Sequence, residues 1–509
     1  MKILIFHGYL LRGTGSNIYN ANLAQALATL GHDVHLLCQD QEAEQLRWVN
    51  QIGLWDDEGL AVTELRLADG DGSVTVYRPP IGNLLPVYVE DPYVGFEARA
   101  FPRLSDDEIE HYIRVNVSAV NDVQELIGGQ DAALANHLIM GPVIFARAGV
   151  RPYAVKNHGS DLEYTVKPYP RFQPFARQGL EPCAAVLVGS HHTAASLWQA
   201  VPGLGLEKRT GMGPPGVDTD EFAAIAPGSA RGSLLALAGR IKDSPRSASF
   251  GRDELEAAGA LREYAAAEGP RVVFVGKLIV SKGVDLLVAA WPLIHAANPG
   301  ARLLLIGFGA YEVALRALVT ALADGDIEAA REIAKEGRGL EGGSRMPLEY
   351  LGRFLESPPD GYRQMAIDGA GSVSFGGRFE HDEVAGVLPA SDAMVVPSTF
   401  PEAFGMVAAE GAACGVLPVC ANHSGLAEVA RTLSREVPAA SGLISFDLGP
   451  AAVSDLASSV NGWLAIDPES RRQLGRDIAD CTDRNWSWQG VAKDVISASA
   501  GQVRPVENV

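Results

Sequence analysis

Cysteine is scarce and scattered in this chain. The five thiols, Cys38, Cys183, Cys414, Cys420 and Cys481, are odd in number, and no Cys-x-x-Cys pair or Cys/His zinc spacing exists. That usage argues against a disulfide framework and fits a reducing, cytoplasmic compartment. Positive charge is also short: 42 Lys and Arg stand against 62 Asp and Glu, a net charge of −20. The balance argues against a general nucleic-acid binder, whose affinity comes from Lys and Arg on phosphates. It weighs against docking on an anionic membrane too. Long apolar runs are missing, since none reaches the roughly 18 residues of a membrane span. Ile3-Leu4-Ile5-Phe6 after Met1-Lys2 is too short for a signal peptide and reads as a first strand. No strand is followed by Gly-x-Gly-x-x-Gly, which argues against a Rossmann dehydrogenase. Asp69-Gly70-Asp71 has the letters of an Asp-x-Asp metal motif but sits in a turn-like stretch, so no metal is expected.

What remains is a packed globular chain of 509 residues, 47% hydrophobic and 20% charged, long enough for a few domains. Ile3–Phe6, a loop over 7–16 with Gly8, Gly13 and Gly15, a helix from Ile18 to Leu30 and a strand at Val34–Cys38 form a first α/β unit. Apolar runs at Ala132–Ala135, Tyr153–Lys156 and Ala185–Val188 alternate with helix-like stretches, the pattern of a parallel sheet covered on both faces. Gly213-Pro-Pro-Gly-Val-Asp218 marks a hinge. A second α/β series begins at Arg271–Val275 and continues with a helix over 284–297 and strands at 302–306, 372–375, 393–396 and 416–420. Insertions are expected over about 227–269 and 322–370. The domains are therefore placed at 1–217 and 218–483, with a last helix over about 484–500.

The densest chemistry lies in Val395 to Val419. A buried strand ends at Pro397, a loop carries Glu402, and a helix opens near Gly405 and closes at Gly415. The first N–H groups of that helix, over Gly405, Met406 and Val407, make an anion site at the positive end of the helix dipole. Glu402 precedes that end, and Glu410 follows it by about two turns. A diphosphate at the helix start, flanked by hydroxyl groups held by carboxylates, suits a nucleotide-sugar.

This Glu402-x7-Glu410 element, with Phe404-Gly405 inside it and Pro397-Ser398 before it, resembles family 4 of the retaining glycosyltransferases. Gly276-Lys277-Leu278 with Lys282-Gly283, Pro215-Gly216-Val217-Asp218, Gly31-His32-Asp33-Val34 and Trp486-Ser487-Trp488 resemble further elements of that family, in order along both halves of the chain. The resemblance implies a GT-B fold of two facing Rossmann-like domains with a cleft between them, the last helix crossing back to the N-terminal one. It implies a nucleotide-sugar donor, of UDP, GDP or ADP type, held by the C-terminal domain.

By the same resemblance, Glu402 contacts donor sugar hydroxyls, Phe404, Gly405, Met406 and Val407 surround the phosphate, and Glu410 accepts from the ribose. Lys277 and Lys282 neutralise the leaving diphosphate. Gly276 and Gly15 approach the donor, and Arg378 and Phe379 lie near the base. His158, in Asn157-His158-Gly159, stands beside the reacting carbon. Asn17 and His137 are candidates on the acceptor side. Lys277 departs from the family's usual Arg, keeping the charge and losing the bidentate fork. Thr14-Gly15 replaces a glycine pair.

The implied activity is retaining transfer of a sugar to a hydroxyl-bearing acceptor, with no cofactor and no metal. Alternatives are a nucleotide-sugar epimerase of the same fold and a catalytically silent nucleotide-sugar-binding subunit. The segment Asn83–Asn116 carries Glu90, Asp91, Glu97, Asp106, Asp107, Glu108 and Glu110 against Arg99, Arg103 and Arg114. A soluble acceptor is therefore expected in place of a lipid. A homo-oligomer is kept among the expected partners.

Overall fold

A computed structural model describes all residues except 69, 89–92, 94, 227, 244–251 and 507–509. Asp69, Glu90 and Asp91 of the sequence analysis, and part of the first expected insertion, lie outside the described residues. Two units are present: Met1–Gly216 with Trp486–Val509, and Val217–Asn485.

The first unit holds β1 (Lys2–Phe6), β2 (Asp33–Leu37), β3 (Gln51–Asp56), β4 (Gly59–Glu64), β5 (Ser73–Arg78), β6 (Leu84–Val87), β7 (Glu97–Ala100), β8 (Ala132–Asn136), β9 (Ala154–Lys156), β10 (Ala185–Val188) and β11 (Thr210–Met212). Nine of them form one sheet in the order β11-β10-β9-β8-β1-β2-β5-β3-β4, parallel except where β3 pairs with β4. The chain grows from β1 toward β2 and later from β8 toward β11, so the winding reverses between β1 and β8. Ile3–Phe6 and Ala132–Asn136 are buried throughout, as central strands covered by helices on both faces require. Loops that leave neighbouring strands in opposite directions open a crevice at such a switch point.

The second unit holds β12 (Arg271–Val275), β13 (Arg302–Ile306), β14 (Val373–Gly377), β15 (Ala393–Val396), β16 (Leu417–Ala421) and β17 (Ser445–Phe446). They form one sheet in the order β14-β13-β12-β15-β16-β17, with every pair parallel. Here the winding reverses between β12 and β15.

Two expectations need correction. The helix expected from Ile18 begins at Gly15 and runs to Thr29, so Gly15 is its first residue and not part of the loop. The turn is made by Gly13, at φ +90°. The stretch expected as an excursion over 227–269 contributes, through its described residues, to the helical cover of the second sheet. Its helix Glu254–Ala265 buries Ala257, Leu261 and Tyr264, and it is tied to the sheet through Ser374, whose hydroxyl donates to Glu263 at 2.6 Å. The sequence reads as partly helical there, but its alanine-rich composition gives a weak apolar stripe and no sign of the sheet it covers.

The last helix, Trp488–Ser499, is capped by the Ser487 hydroxyl, which accepts from the Gly490 N–H at 3.2 Å. Trp488 packs edge-on against Tyr19, with ring centroids 5.5 Å apart. Among the described residues no helix is long and apolar enough to cross a membrane.

Candidate functional site

In the second unit the switch point gathers charge. Lys277 follows β12 by two residues, and Lys282 ends a short turn, Val280–Lys282, before the helix Val284–Ala297. Gly283 links turn and helix at φ +64°; a Cβ there would sit 2.0 Å from the Pro397 carbonyl. Only glycine allows this approach, and the Thr399 N–H then donates to the Ser281 carbonyl at 2.9 Å. The contact brings Lys282 Nζ onto Glu402 Oε1, which also accepts from the Ser398 hydroxyl at 2.7 Å. Burial disfavours the Glu402 carboxylate, yet Lys282 and Ser398 outweigh it and hold its pKa below the ordinary value.

The main chain of Glu402 is clamped from both sides. Its N–H donates to the Ser424 hydroxyl at 2.9 Å, and its carbonyl accepts from the Gly425 N–H at 2.9 Å. The helix Met406–Ala413 then starts at Gly405, whose φ is +104°. A Cβ on Gly405 would meet Leu426 Cδ2 at 2.4 Å. The first N–H groups of an α-helix lack intrahelical partners, and this helix start follows the Lys282–Glu402 pair closely in the fold. Glu410, on the same helix, is buried and accepts from His381 Nε2 at 3.0 Å.

In the first unit, polar side chains crowd the carboxyl ends of β1, β8 and β9. His7, Asn136, His137, Lys156 and Asn157 are each at most 2% exposed there. His158 stacks at a tilt on His137, with centroids 4.8 Å apart, and edge-on against Tyr19 at 5.1 Å. Burial, then the charges of His137, Lys156 and His7, push the His158 pKa well below the usual imidazole value. His7 is lowered to about 3 by burial and by His137. Lys156 falls to about 7 through burial, opposed by Asp161. Its ammonium donates to the Gly213 carbonyl at 2.7 Å.

His137 adopts φ +67°, and neither of its ring nitrogens has a hydrogen-bond partner among the described residues. Its Nδ1 lies 3.8 Å from Asp161 Oδ1, which is likewise unpartnered among them. A strained, unsatisfied imidazole at a sheet switch point is a ligand-site feature.

Comparison with known proteins bears on the family and the fold. Residues 366–477 match the family model of glycosyl transferases group 1, a span that contains Ser398, Glu402 and Glu410. The chain is 26% identical over 226 residues to a GDP-mannose-dependent monoacylated alpha-(1-6)-phosphatidylinositol monomannoside mannosyltransferase of Corynebacterium glutamicum, covering 43% of this chain and 44% of that one. It is 26% identical over 242 residues to a glycogen synthase of Mycobacterium tuberculosis, covering 47% and 45%. The chain thus spans just under half the length of these curated relatives. Among solved structures it resembles sucrose-phosphate synthase from Thermosynechococcus elongatus, with TM-score 0.58, 20% identity and coverage of 97% and 96%. It also resembles Anabaena HepE in complex with UDP and glucose, with TM-score 0.55, 14% identity and coverage of 98% and 99%. The fold is that of the GT-B glycosyltransferases.

Within this GT-B chain the structure brings together Lys282, Glu402, Phe404 and Gly405, with Glu410 about one turn into the helix that Gly405 starts. Gly276 lies at the end of β12, where its N–H donates to the Ile306 carbonyl at 3.0 Å. Arg378 and Phe379 follow β14. Arg378 is buried and paired with Glu380 at 2.8 Å, and the Arg252 guanidinium sits over the Phe379 ring at 5.9 Å. Asn17, expected on the acceptor side, turns its amide inward. Its Oδ1 lies 3.0 Å from His7 Nε2, and its Nδ2 donates to the Arg12 carbonyl at 2.6 Å.

Sequence reasoning missed His381, His423 and His7. His423 Nε2 lies 2.7 Å from the Ser398 carbonyl and helps lower the Glu402 pKa. No local spacing pointed to these residues, because each reaches its partner across the fold. Asn17 and Asn20 gave a usable signal: two asparagines three apart in a helix lie on its buried face, where their polarity demands partners.

Proposed function

We propose that this chain is a retaining family 4 glycosyltransferase that moves a sugar from a nucleotide diphosphate donor to a hydroxyl of a soluble acceptor, without a metal ion. The observation that carries the proposal is the Lys282–Glu402–Ser398 cluster at the switch point of the C-terminal sheet, set against the start of the Met406–Ala413 helix. The helix N–H groups and Lys282 match a diphosphate, while Glu402 and Glu410 match hydroxyls of the sugar and ribose. Lys277 adds a second cation near β12.

In the reaction the bond from the anomeric carbon to the phosphate oxygen breaks, and its electron pair leaves on the diphosphate. The acceptor oxygen bonds to that carbon on the same face, and its proton passes to the departing phosphate. Charge grows on the leaving group, so Lys282 acts most strongly in the transition state. His158 and His137, on the N-terminal sheet, belong to the sugar and acceptor side.

The relatives point to more than one base. The mannosyltransferases are GDP-mannose-dependent by name, and HepE was solved with UDP. The five buried, unpaired thiols fit a cytoplasmic enzyme.

The test is a thermal-shift comparison of UDP, GDP and ADP, followed by turnover of the corresponding nucleotide-sugars. One diphosphate should raise stability by about 2.7 kcal/mol at a hundredfold excess over its Kd. Absence of any shift and of any turnover would refute the assignment.

A further inference from the structure

His158 is one end of an unbroken hydrogen-bonded chain inside the N-terminal domain. Its Nε2 lies 2.7 Å from Asn136 Oδ1. Asn136 Nδ2 reaches Asn20 Oδ1 at 2.7 Å and the Phe6 carbonyl at 3.1 Å. Asn20 Nδ2 lies 3.0 Å from His7 Nδ1 and 2.8 Å from the Ser16 carbonyl. His7 Nε2 is 3.0 Å from both the Leu10 carbonyl and Asn17 Oδ1, and Asn17 Nδ2 ends the chain on the Arg12 carbonyl. Asn136, Asn20, His7 and Asn17 are each at most 1% exposed, so water does not compete for these bonds.

The oxygens at each junction decide every proton. A carbonyl only accepts, and an amide nitrogen only donates. Asn136 faces the Phe6 carbonyl, so its Nδ2 must point there and its Oδ1 must point to His158. His158 Nε2 therefore carries the proton, and its Nδ1 is bare. Asn20 faces the Ser16 carbonyl by the same logic, so His7 Nδ1 accepts and His7 Nε2 donates toward two oxygens. Flipping either amide would set oxygen against oxygen, a loss of about 1–3 kcal/mol per buried group.

We infer that Asn136 and Asn20 are positioning residues that lock His158 in the Nε2–H tautomer, so that its bare Nδ1 accepts a hydrogen bond from a neutral sugar hydroxyl. A lone pair at that point repels an anionic group, which selects a hydroxyl over a carboxylate or phosphate. The far end of the chain, at the Leu10 and Arg12 carbonyls, ties His158 to the loop that leaves β1. The ligand named here rests on the glycosyltransferase proposal; the tautomer does not.

The experiment is a two-bond proton–nitrogen correlation on the full chain with nitrogen-labelled histidine, with His158→Gln to assign the signal. His158 should show a protonated Nε2 and a bare Nδ1, unchanged between about pH 6 and 8. The opposite tautomer, or an imidazolium in that range, would overturn the inference. Asn136→Leu removes the acceptor without adding charge and should let both tautomers appear. An unchanged Nε2–H form in that variant would remove Asn136 from the role. Asn136→Asp places a carboxylate on Nε2 and should make His158 titrate within that range. It should also slow sugar transfer about tenfold or more while leaving nucleoside diphosphate affinity unchanged. Transfer at the wild-type rate with a charged His158 would count against the hydroxyl acceptor role. Because the tautomer is read without turnover, failure of the proposed function would leave the first two outcomes fully informative.

Discussion

Glu410 accepts a hydrogen bond from His381 Nε2 at 3.0 Å, and the other ring nitrogen of His381 lies 4.0 Å from Glu221. Burial disfavours the imidazolium, but Glu410, Glu221 and Asp382 outweigh it and raise the His381 pKa above the usual 6.5. The charged form is therefore the folded form at mildly acidic pH. One Glu410 oxygen is held by His381, and the proposed function assigns the other to a ribose hydroxyl. Glu410→Gln should weaken nucleoside diphosphate binding by at most about 1.5–3 kcal/mol, the value of a charged hydrogen bond, and leave the fold intact. Calorimetry that finds unchanged affinity would take Glu410 out of the ribose site.

The same pair predicts a pH signature. A raised folded-state pKa contributes stability that is fully present below the unfolded value and lost as pH rises through the folded one. His381→Gln should therefore cost more at about pH 6 than at about pH 9. Urea unfolding at the two pH values measures the difference. An equal cost at both would show that His381 acts through packing on Phe222, whose ring lies 4.8 Å away.

Lys282 and Glu402 should fail together. Lys282→Ala should lower turnover more than ground-state donor affinity, because its charge matters most as the diphosphate departs. It also leaves Glu402 without the cation that holds its pKa down, so the acidic limb of the pH–rate profile should move upward. Lys282→Ala with Glu402→Gln should cost less than the sum of the single changes. A loss of donor affinity with turnover intact at saturation would make Lys282 only a docking charge.

Strands and the Glu402–Glu410 element were legible because each is local. Ile3–Phe6, Ala393–Val396 and Leu417–Ala421 are short apolar runs, and the start and stop of the Met406–Ala413 helix are marked by Gly405 and Gly415. The hairpin of β3 and β4 was not legible: its strands are half-exposed, and Asp57 and Glu58 make an ordinary polar turn. His381 and His7 were invisible for a different reason. Their partners stand 29 and up to 13 residues away, and only the assembled sheets bring them into contact.

Gly405 should tolerate no side chain. Gly405→Ala forces a Cβ into a left-handed conformation and against Leu426, which is fully buried. The cost should be about 1–3 kcal/mol, with weaker diphosphate binding because the first helix turn shifts. Leu426→Ala in the same chain should relieve the clash but not the backbone strain, so recovery should be partial. Thermal unfolding and diphosphate affinity at wild-type values in Gly405→Ala would contradict this account.

The N-terminal domain should not bind an anionic membrane. The helix Asp106–Ile127 opens with Asp106, Asp107 and Glu108, carboxylates that suit its dipole and complete a capping box with Ser105. Several nearby cations are already paired with carboxylates: Arg99 with Glu97 and Glu108, Arg147 with Glu110, and Arg171 lies 3.8 Å from Asp106. The one apolar run in the segment is no anchor, since Leu85 and Val87 of β6 are core residues at 0% and 1% exposure. A leaflet attracts a basic face by about 1 kcal/mol per Lys or Arg, and here the local balance is acidic. Co-sedimentation with anionic liposomes at low salt, where attraction is least screened, should leave the protein in the supernatant. Pelleting that salt reverses would overturn the prediction and direct the search for an acceptor toward lipids.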